Sequence, residues 1–490
     1  MRDQVEMARD RRAEEAPGPP RADAAAAAQA ASDRLNPLFW RIMPVVLLGP
    51  LMSQLDSTVV NVALPAMRQD LHASIGAVQW VVSGYLTALA LVLPLNAWLV
   101  DRLGAKRLYI ACFSGFTLAS LACGATRSIE GLICARVLQG VCGGLLAPMA
   151  QMMTARAAGR HLSRVIGYTA VPILFAPILG PTLAGVVLKA AGWPWLFYIN
   201  LPLGILAVAL AVWRLPHDAD AGRRRPFDLA GFLLISPALA ALLFGLDHAP
   251  HAAGLAALGG GLALAGLFIR HALRRKETAL VDVRLFGEPV FATAAVTQFL
   301  NNGAAFAGQM LLPLFLIGAC GYSPAAAGWM LAMQGLGLLC VYPATGFLIA
   351  RLGCRAVSAG GALLVAASTL PVLWMTQGAF SPVVMAAILF GRGLGQGAIG
   401  VPSISAAYAA VPREKIPLAT TAANIVQRIG GPTATTVVAL VLAWASGRVG
   451  GLRPHAFTAP FLALVAVQLL TAAAASRLPA ELPHERGAGR

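Results

Sequence analysis

The chain has 490 residues, of which 58% are apolar and only 12% charged. An ordinary soluble protein carries about 25% charged residues, so this composition excludes a soluble globular domain. The apolar stretches are continuous rather than alternating, which excludes a β-barrel. A net charge of +16 would suit a nucleic-acid partner, but its distribution along the chain excludes that reading too.

In chain order, residues 1–40 mix charge with an alanine run, Ala24–Ala28, and lack the apolar core of a signal peptide; a cytoplasmic tail is expected. Fourteen apolar spans follow, near 42–64, 77–100, 108–126, 130–153, 164–188, 195–213, 228–246, 253–269, 290–317, 326–349, 356–376, 382–410, 416–446 and 456–475. Each is long enough to cross a bilayer as a helix. With the N-terminus cytoplasmic, the outer loops hold only Arg68, Arg127, Lys189, Arg448 and Arg453 of the 37 Lys and Arg. Arg136, Arg392 and Arg428 lie within spans, and the rest are cytoplasmic. That bias places both termini in the cytoplasm. The basic connectors at Arg223–Arg225 and Arg274–Lys276 fit anionic lipid. The seven cysteines have no metal-site spacing and read as small packing residues. The eight histidines lie in tails, loops or span ends, which argues against a His-ligated metal in the membrane.

The chain repeats itself at a spacing near 250 residues. LVDRLGAKR (Leu99–Arg107) parallels LIARLGCR (Leu348–Arg355), ARVLQG (Ala135–Gly140) parallels GRGLGQG (Gly391–Gly397), and GPT recurs at Gly180 and Gly431. Three pairs in one order imply two six-span halves, residues 41–214 and 289–477. Residues 215–288 are then an inserted two-helix linker and 478–490 a cytoplasmic tail. Transporters built from such repeats hold their substrate near the midplane between the halves.

Asp56 is the acidic residue deepest inside an apolar segment, and an ionisable group at that depth marks a functional site by default. At 1.5 Å per residue, Asp56 and Arg136 fall at similar depths in their spans. They are expected to be coupled, directly or through water. A carboxyl group balanced between burial, which favours its neutral form, and a cation, which favours its charged form, can load and release a proton. The alternative is a static ion pair locking two helices. Gln54, Ser57 and Asn61 share one side of the first span with Ser53, and Asp56 flanks them; this stripe is expected to line a central cavity. Gln139, Asn301, Asn302, Gln309 and Asn424 are further cavity candidates, with interhelical hydrogen bonding as the alternative for each. Asp101, among Arg102, Gly104, Lys106 and Arg107, can cap a helix of the other half. Gly180, Pro181 and Gly185, and Gly430, Gly431 and Pro432, are expected to kink two spans where the halves meet. Arg392 and Arg428 either pair with polar groups or bind an anionic substrate; the sequence leaves that open.

These motifs resemble the major facilitator superfamily, in particular its fourteen-span drug:proton antiporters of the EmrB/QacA type. LDSTVVNVALP (Leu55–Pro65), AWLVDRLGAK (Ala97–Lys106), ARVLQG, APILGPTLAG (Ala176–Gly185), WPWLFYINLPLG (Trp193–Gly204) and NIVQRIGGP (Asn424–Pro432) carry the resemblance. Ala97, Ala105, Ala176, Ala184 and Pro194 depart from the family pattern, and Ala350 stands where many members carry Asp. The resemblance implies an all-α membrane protein of the major facilitator fold, two six-helix halves plus two inserted helices. It implies proton coupling through Asp56 and Arg136 and a conformational latch in the Asp101–Arg107 loop. Small amphipathic compounds would be exported across an inner membrane, with protons as the coupling ion and no cofactor. A periplasmic adaptor and outer-membrane channel are implied as partners by resemblance alone. With no GxxxxGK[ST] loop, ATP coupling is not expected. The nearest rival is the same fold exporting one endogenous metabolite or siderophore. A membrane enzyme or a sensor would need a clustered catalytic face or a soluble output domain, and neither is evident.

Overall fold

The computed structural model describes residues 37–158, 165–167, 169, 180, 183–216, 226–275, 278–378, 380–449 and 451–480. Among these, twelve helices are long and apolar enough to cross a membrane. They run as α1 (Pro37–Asp70), α2 (Ile75–Val92), which passes through a short 3-10 turn into α3 (Asn96–Leu103), α4 (Ala105–Ala125) and α5 (Ile129–Ala158). The one-turn α6 (Trp195–Tyr198) leads into α7 (Asn200–Arg214), and α8 (Leu229–Asp247) and α9 (Ala252–Arg275) follow. The remainder is α10 (Pro289–Pro313), α11 (Pro324–Met375), α12 (Pro382–Ala409), α13 (Ile416–Val449) and α14 (Thr458–Ala475).

Helix α11 has 52 residues, about 78 Å at 1.5 Å per residue and more than twice a hydrocarbon core of about 30 Å. It breaks at Gly353, whose φ of 79° and ψ of 161° are non-helical, so it makes two crossings. Gly104, the repeat partner of Gly353, separates α3 from α4 at φ 84° and ψ 154°. The two loops thus share one backbone device, a positive φ that favours glycine. Most of the fifth predicted span lies outside the described residues, as do Pro181, Arg223–Arg225 and Lys276. The expected fourteen crossings are compatible with what is described.

The side on which α1 begins, where Arg102, Lys106 and Arg107 cluster, is the basic side. There, one continuous apolar core joins both repeats: Val92, Leu93, Met149 and Met152 share it with Val401, Ile404, Tyr408 and Leu418. On the opposite side, among the described residues, the core divides. One cluster runs through Val59, Val60, Leu132 and Phe197, the other through Leu311, Phe315, Met385 and Phe461. The halves are therefore sealed together on the basic side and packed separately on the other. Polar contacts cross the seal: Gln151 Oε1 accepts from Asn424 Nδ2 at 2.7 Å and from the Tyr408 hydroxyl at 3.2 Å, and Asn96 Nδ2 donates to Thr421 Oγ1 at 3.3 Å.

The inserted pair bridges the two halves. Ser236 of α8 donates to the Leu91 carbonyl of α2 at 2.8 Å, and Thr436 of α13 donates to the Leu246 carbonyl of α8 at 2.8 Å. Asp228 caps α8 through the Gly231 amide at 3.0 Å and pairs with His271 Nε2 of α9 at 2.8 Å. The histidine count gave no hint of that buried tie.

Gly353 is constrained twice, because a Cβ there would also strike the Ala480 carbonyl. Gly353→Ala should lower stability by about 1–3 kcal/mol, read as a lower thermal midpoint in detergent. Gly360→Ala, in open space on the same helix, should not lower it.

Candidate functional site

The polar centre lies inside the first repeat, built by helices that each contribute one or two groups. Asp56 projects from α1 and its side chain is fully buried, as is that of Arg136 on α5. Arg136 Nη1 donates to Asp56 Oδ2 at 2.5 Å. Gln139, one turn along α5 from Arg136, gives Nε2 to Asp56 Oδ1 at 2.8 Å, and Asn200 at the start of α7 gives Nδ2 to the same oxygen at 2.9 Å. Gln139 also donates to Ser120 Oγ of α4 at 2.8 Å and accepts from Arg136 Nη1 at 2.6 Å. Arg136 Nε donates to the Val81 carbonyl of α2 at 3.0 Å. The Tyr85 ring lies 4.2 Å from the guanidinium carbon, and the Tyr85 hydroxyl shares a 2.8 Å hydrogen bond with Ser53. Arg136 Nη2 is buried without a partner.

Burying two charges costs several kcal/mol each, and only good geometry with satisfied remaining groups repays it. Both carboxylate oxygens here are met, and the arginine spends two nitrogens and one face. The arrangement is held by side chains on α1, α2, α4, α5 and α7. Protonating Asp56 would remove the charge that balances Arg136.

The structure brings together some of the residues singled out in the sequence and separates others. Asp56 and Arg136 touch directly. Gln139, read as a cavity candidate, is instead fully buried in this centre. Its place within a span singled it out, and of the two readings interhelical hydrogen bonding is the one seen here. Ser53 also belongs here, bonded to Tyr85. Gln54, Ser57 and Asn61 lie about 100–160° around α1 from Asp56, taking about 100° per residue. Gln54 and Asn61 are exposed; this stripe and the acid occupy different sides of the helix. An amide stripe is costly in lipid, so it belongs on the open side between the halves. Asn424 lies in the basic-side seal rather than on an open surface. Asn302 donates to the Gln427 carbonyl at 3.0 Å, Asn301 is half-buried and Gln309 is exposed. No hydrogen bond among the described residues joins these three to the first-half stripe.

In the loop, Lys106 Nζ donates to the Val212 and Leu215 carbonyls at 2.8 and 3.0 Å, capping the end of α7. Arg102 lies over the Trp98 ring at 5.4 Å. Asp101 lines a cleft with Leu418, in the first turn of α13. Gly180 meets Thr58 of α1, while Gly430 and Gly431 meet Phe299 and Phe306 of α10, in each case the first helix of the same repeat. Gly167, in the same predicted span as Gly180, meets the Tyr342 carbonyl of the other half. Gly185 has open space around it.

The second repeat keeps the arginine without the acid. Arg392 is 2% exposed, donates Nη1 to Thr369 Oγ1 and leaves Nε without a partner. Facing it is Gly308, whose added Cβ would lie 2.8 Å from Nη2. Asn200 and Tyr85 were missed in the sequence. The INLPLG segment carried Asn200 in a motif, which was the one available signal; Tyr85 had none.

A helical membrane protein of two repeats, sealed on one side and holding a fully buried ion pair, is the architecture of an alternating-access carrier. The sequence profile described as Major Facilitator Superfamily matches residues 46–435. The chain belongs to that superfamily. Over 422 residues it is 34% identical to the multidrug resistance protein B homolog of Mycobacterium tuberculosis, covering 84% of this chain and 78% of that one. The fold is shared with the human organic anion transporter MFSD10 (TETRAN), at TM-score 0.63 and 16% identity, over 89% of this chain and 99% of that one. It is shared also with the proton:xylose symporter XylE, at TM-score 0.62 and 13% identity, over 89% and 94%.

Arg136→Gln should cost about 3–5 kcal/mol, because it strands a buried carboxylate. The double variant Asp56→Asn/Arg136→Gln should cost less than Arg136→Gln alone, read as thermal midpoints in detergent.

Proposed function

We propose that this protein exports small amphipathic compounds in exchange for protons, by alternating access, from a bacterial cytoplasm across the inner membrane. Both termini face the cytoplasm, so the basic side is the cytoplasmic side and the arrangement described is open outward. The observation that carries this reading is the fully buried Asp56–Arg136 pair with its network of five helices. A carboxyl group held there changes its charge only by taking or losing a proton, and each change alters what Arg136 must bond to. The proton is the coupling ion and no cofactor takes part. The relative from Mycobacterium tuberculosis is named for multidrug resistance, which supports a drug-like substrate.

In the cycle proposed, Asp56 takes a proton from the outer side, Arg136 loses its counter-charge, and the helices around it shift. The basic-side seal then opens and the cytoplasmic substrate enters between the halves. Asp101 acts as a latch beside the start of α13, closing when the seal closes. In a double-membraned cell, onward passage would need a periplasmic adaptor and an outer-membrane channel, as the EmrB-type resemblance implies.

Adding an amphipathic drug to purified wild-type protein in weak buffer should release protons, and Asp56→Asn should release none. Drug:proton exchange by Asp56→Asn proteoliposomes at unchanged stoichiometry would overturn the proposal. A Gln151→Cys/Asn424→Cys pair should cross-link readily in the resting protein. Cross-linking should fall by at least about half during turnover, measured by gel mobility.

A further inference from the structure

The membrane spans hold more positive charge than they neutralise. Arg136, Arg392 and Arg428 lie within them, against the single deep carboxylate Asp56, which Arg136 occupies. Between Glu288 and Glu481 the only acidic residue is Glu414. It precedes α13 and lies about 21 Å along the helix axis from Arg428 at 1.5 Å per residue. Two arginines of the second half are thus uncompensated. Arg392 is enclosed, with Thr369 beside it and no room at Gly308.

Arg428 is different. Residues 416–425 of α13 are buried on every side in the basic-side seal, and residues 426–429 are half-buried. Arg428 therefore sits where α13 leaves the seal and meets the open space between the halves. It lies one turn along α13 from Asn424, which bonds to Gln151 of the first half, so it lies on the side of α13 turned toward that half. Among the described residues Arg428 has neither a hydrogen-bond partner nor an ion pair. An unneutralised guanidinium at this depth is costly, and such residues mark substrate or ion paths. Its planar fork of donors matches a carboxylate or another flat oxyanion.

We propose that Arg428 is the counter-ion for an acidic group on the transported compound, and that the preferred substrates are amphipathic molecules bearing one carboxylate or similar anion. The inference rests on the export reading above and narrows it, since net positive charge in the spans opposes cationic drugs. The apolar part of the substrate would lie on the neighbouring walls, with the Gln54–Asn61 stripe across the gap.

The test uses three compounds on one aromatic skeleton, a carboxylic acid, its primary amide and the corresponding tertiary amine, in proteoliposomes with an imposed pH gradient. Wild type should move the acid with the lowest KM. Arg428→Gln should raise that KM by at least about tenfold and leave the amide unchanged, which also shows that the variant is folded; Arg428→Lys should fall between. An acid KM unaffected in Arg428→Gln would overturn the proposal. Equal losses for acid and amide would do so too, as would a wild-type preference for the amine; in these cases the export reading stands. If wild type moves none of the three under the gradient, the export reading falls, and this inference with it.

Discussion

The ion pair between Asp56 and Arg136 constrains the whole first repeat. Both side chains are fully buried, so every remaining lone pair and N–H left without a partner costs about 1–3 kcal/mol. Asn200 and Gln139 meet the second carboxylate oxygen, the Val81 carbonyl takes Nε, and the Tyr85 ring covers the guanidinium face. Those groups come from α2, α5 and α7, and Ser120 of α4 holds Gln139 in turn. A small rotation of any one of these helices would unmake a bond that cannot be remade with solvent. The outer part of this repeat is therefore specified by polar satisfaction as much as by its apolar cluster.

The two repeats share a backbone plan but not an electrostatic one. Gly104 and Gly353 adopt the same unusual backbone, and Arg136 and Arg392 occupy matching places in their helices. Yet Gly308 faces Arg392 where Asp56 faces Arg136, and Ala350 stands in the second loop copy. The glycine is a steric necessity as well as a chemical loss, because Arg392 fills the space a side chain there would need. The deep charges of the first half balance each other, Asp56 against Arg136; those of the second half, Arg392 and Arg428, have no acid beside them. The repeats share an architecture, and an acid present in one alone makes them unequal.

How much of this was legible in the chain follows from what a membrane fixes. Helix axes are set by the bilayer and the rise per residue is constant, so counting residues from span ends placed Asp56 level with Arg136. Hydropathy gave the spans, and the repeated glycine loops gave the break in the 52-residue helix. What counting cannot give is which helix lies beside which, and at what rotation. Asn200 and Tyr85 escaped for that reason, and Gln139 was placed on the cavity instead of against the acid. Nor does counting give the helix each glycine lies against, which for Gly180 and Gly431 is the first of its own repeat. The side on which the halves are sealed was not legible either, since the residues that seal it are ordinary valines, isoleucines and methionines.

The chemistry of that seal suits something that must open. Gln151, Asn424, Tyr408, Asn96 and Thr421 are neutral, and a neutral hydrogen bond is worth only about 1 kcal/mol net because water replaces it when it parts. Separating these groups hydrates them and leaves no stranded charge. The Asp56 centre is the reverse case, since its partners cannot be exchanged for water without breaching the first repeat. Weak, exchangeable contacts between the halves and strong, sealed ones within a half divide the labour that rocking requires. One part keeps its interior bonded to itself while the charge at Asp56 is unchanged, and the seam yields because its bonds can be lent to solvent. In the cycle proposed above, a charge change at Asp56 would act on that interior and reach the seam through the helices that Arg136 holds together.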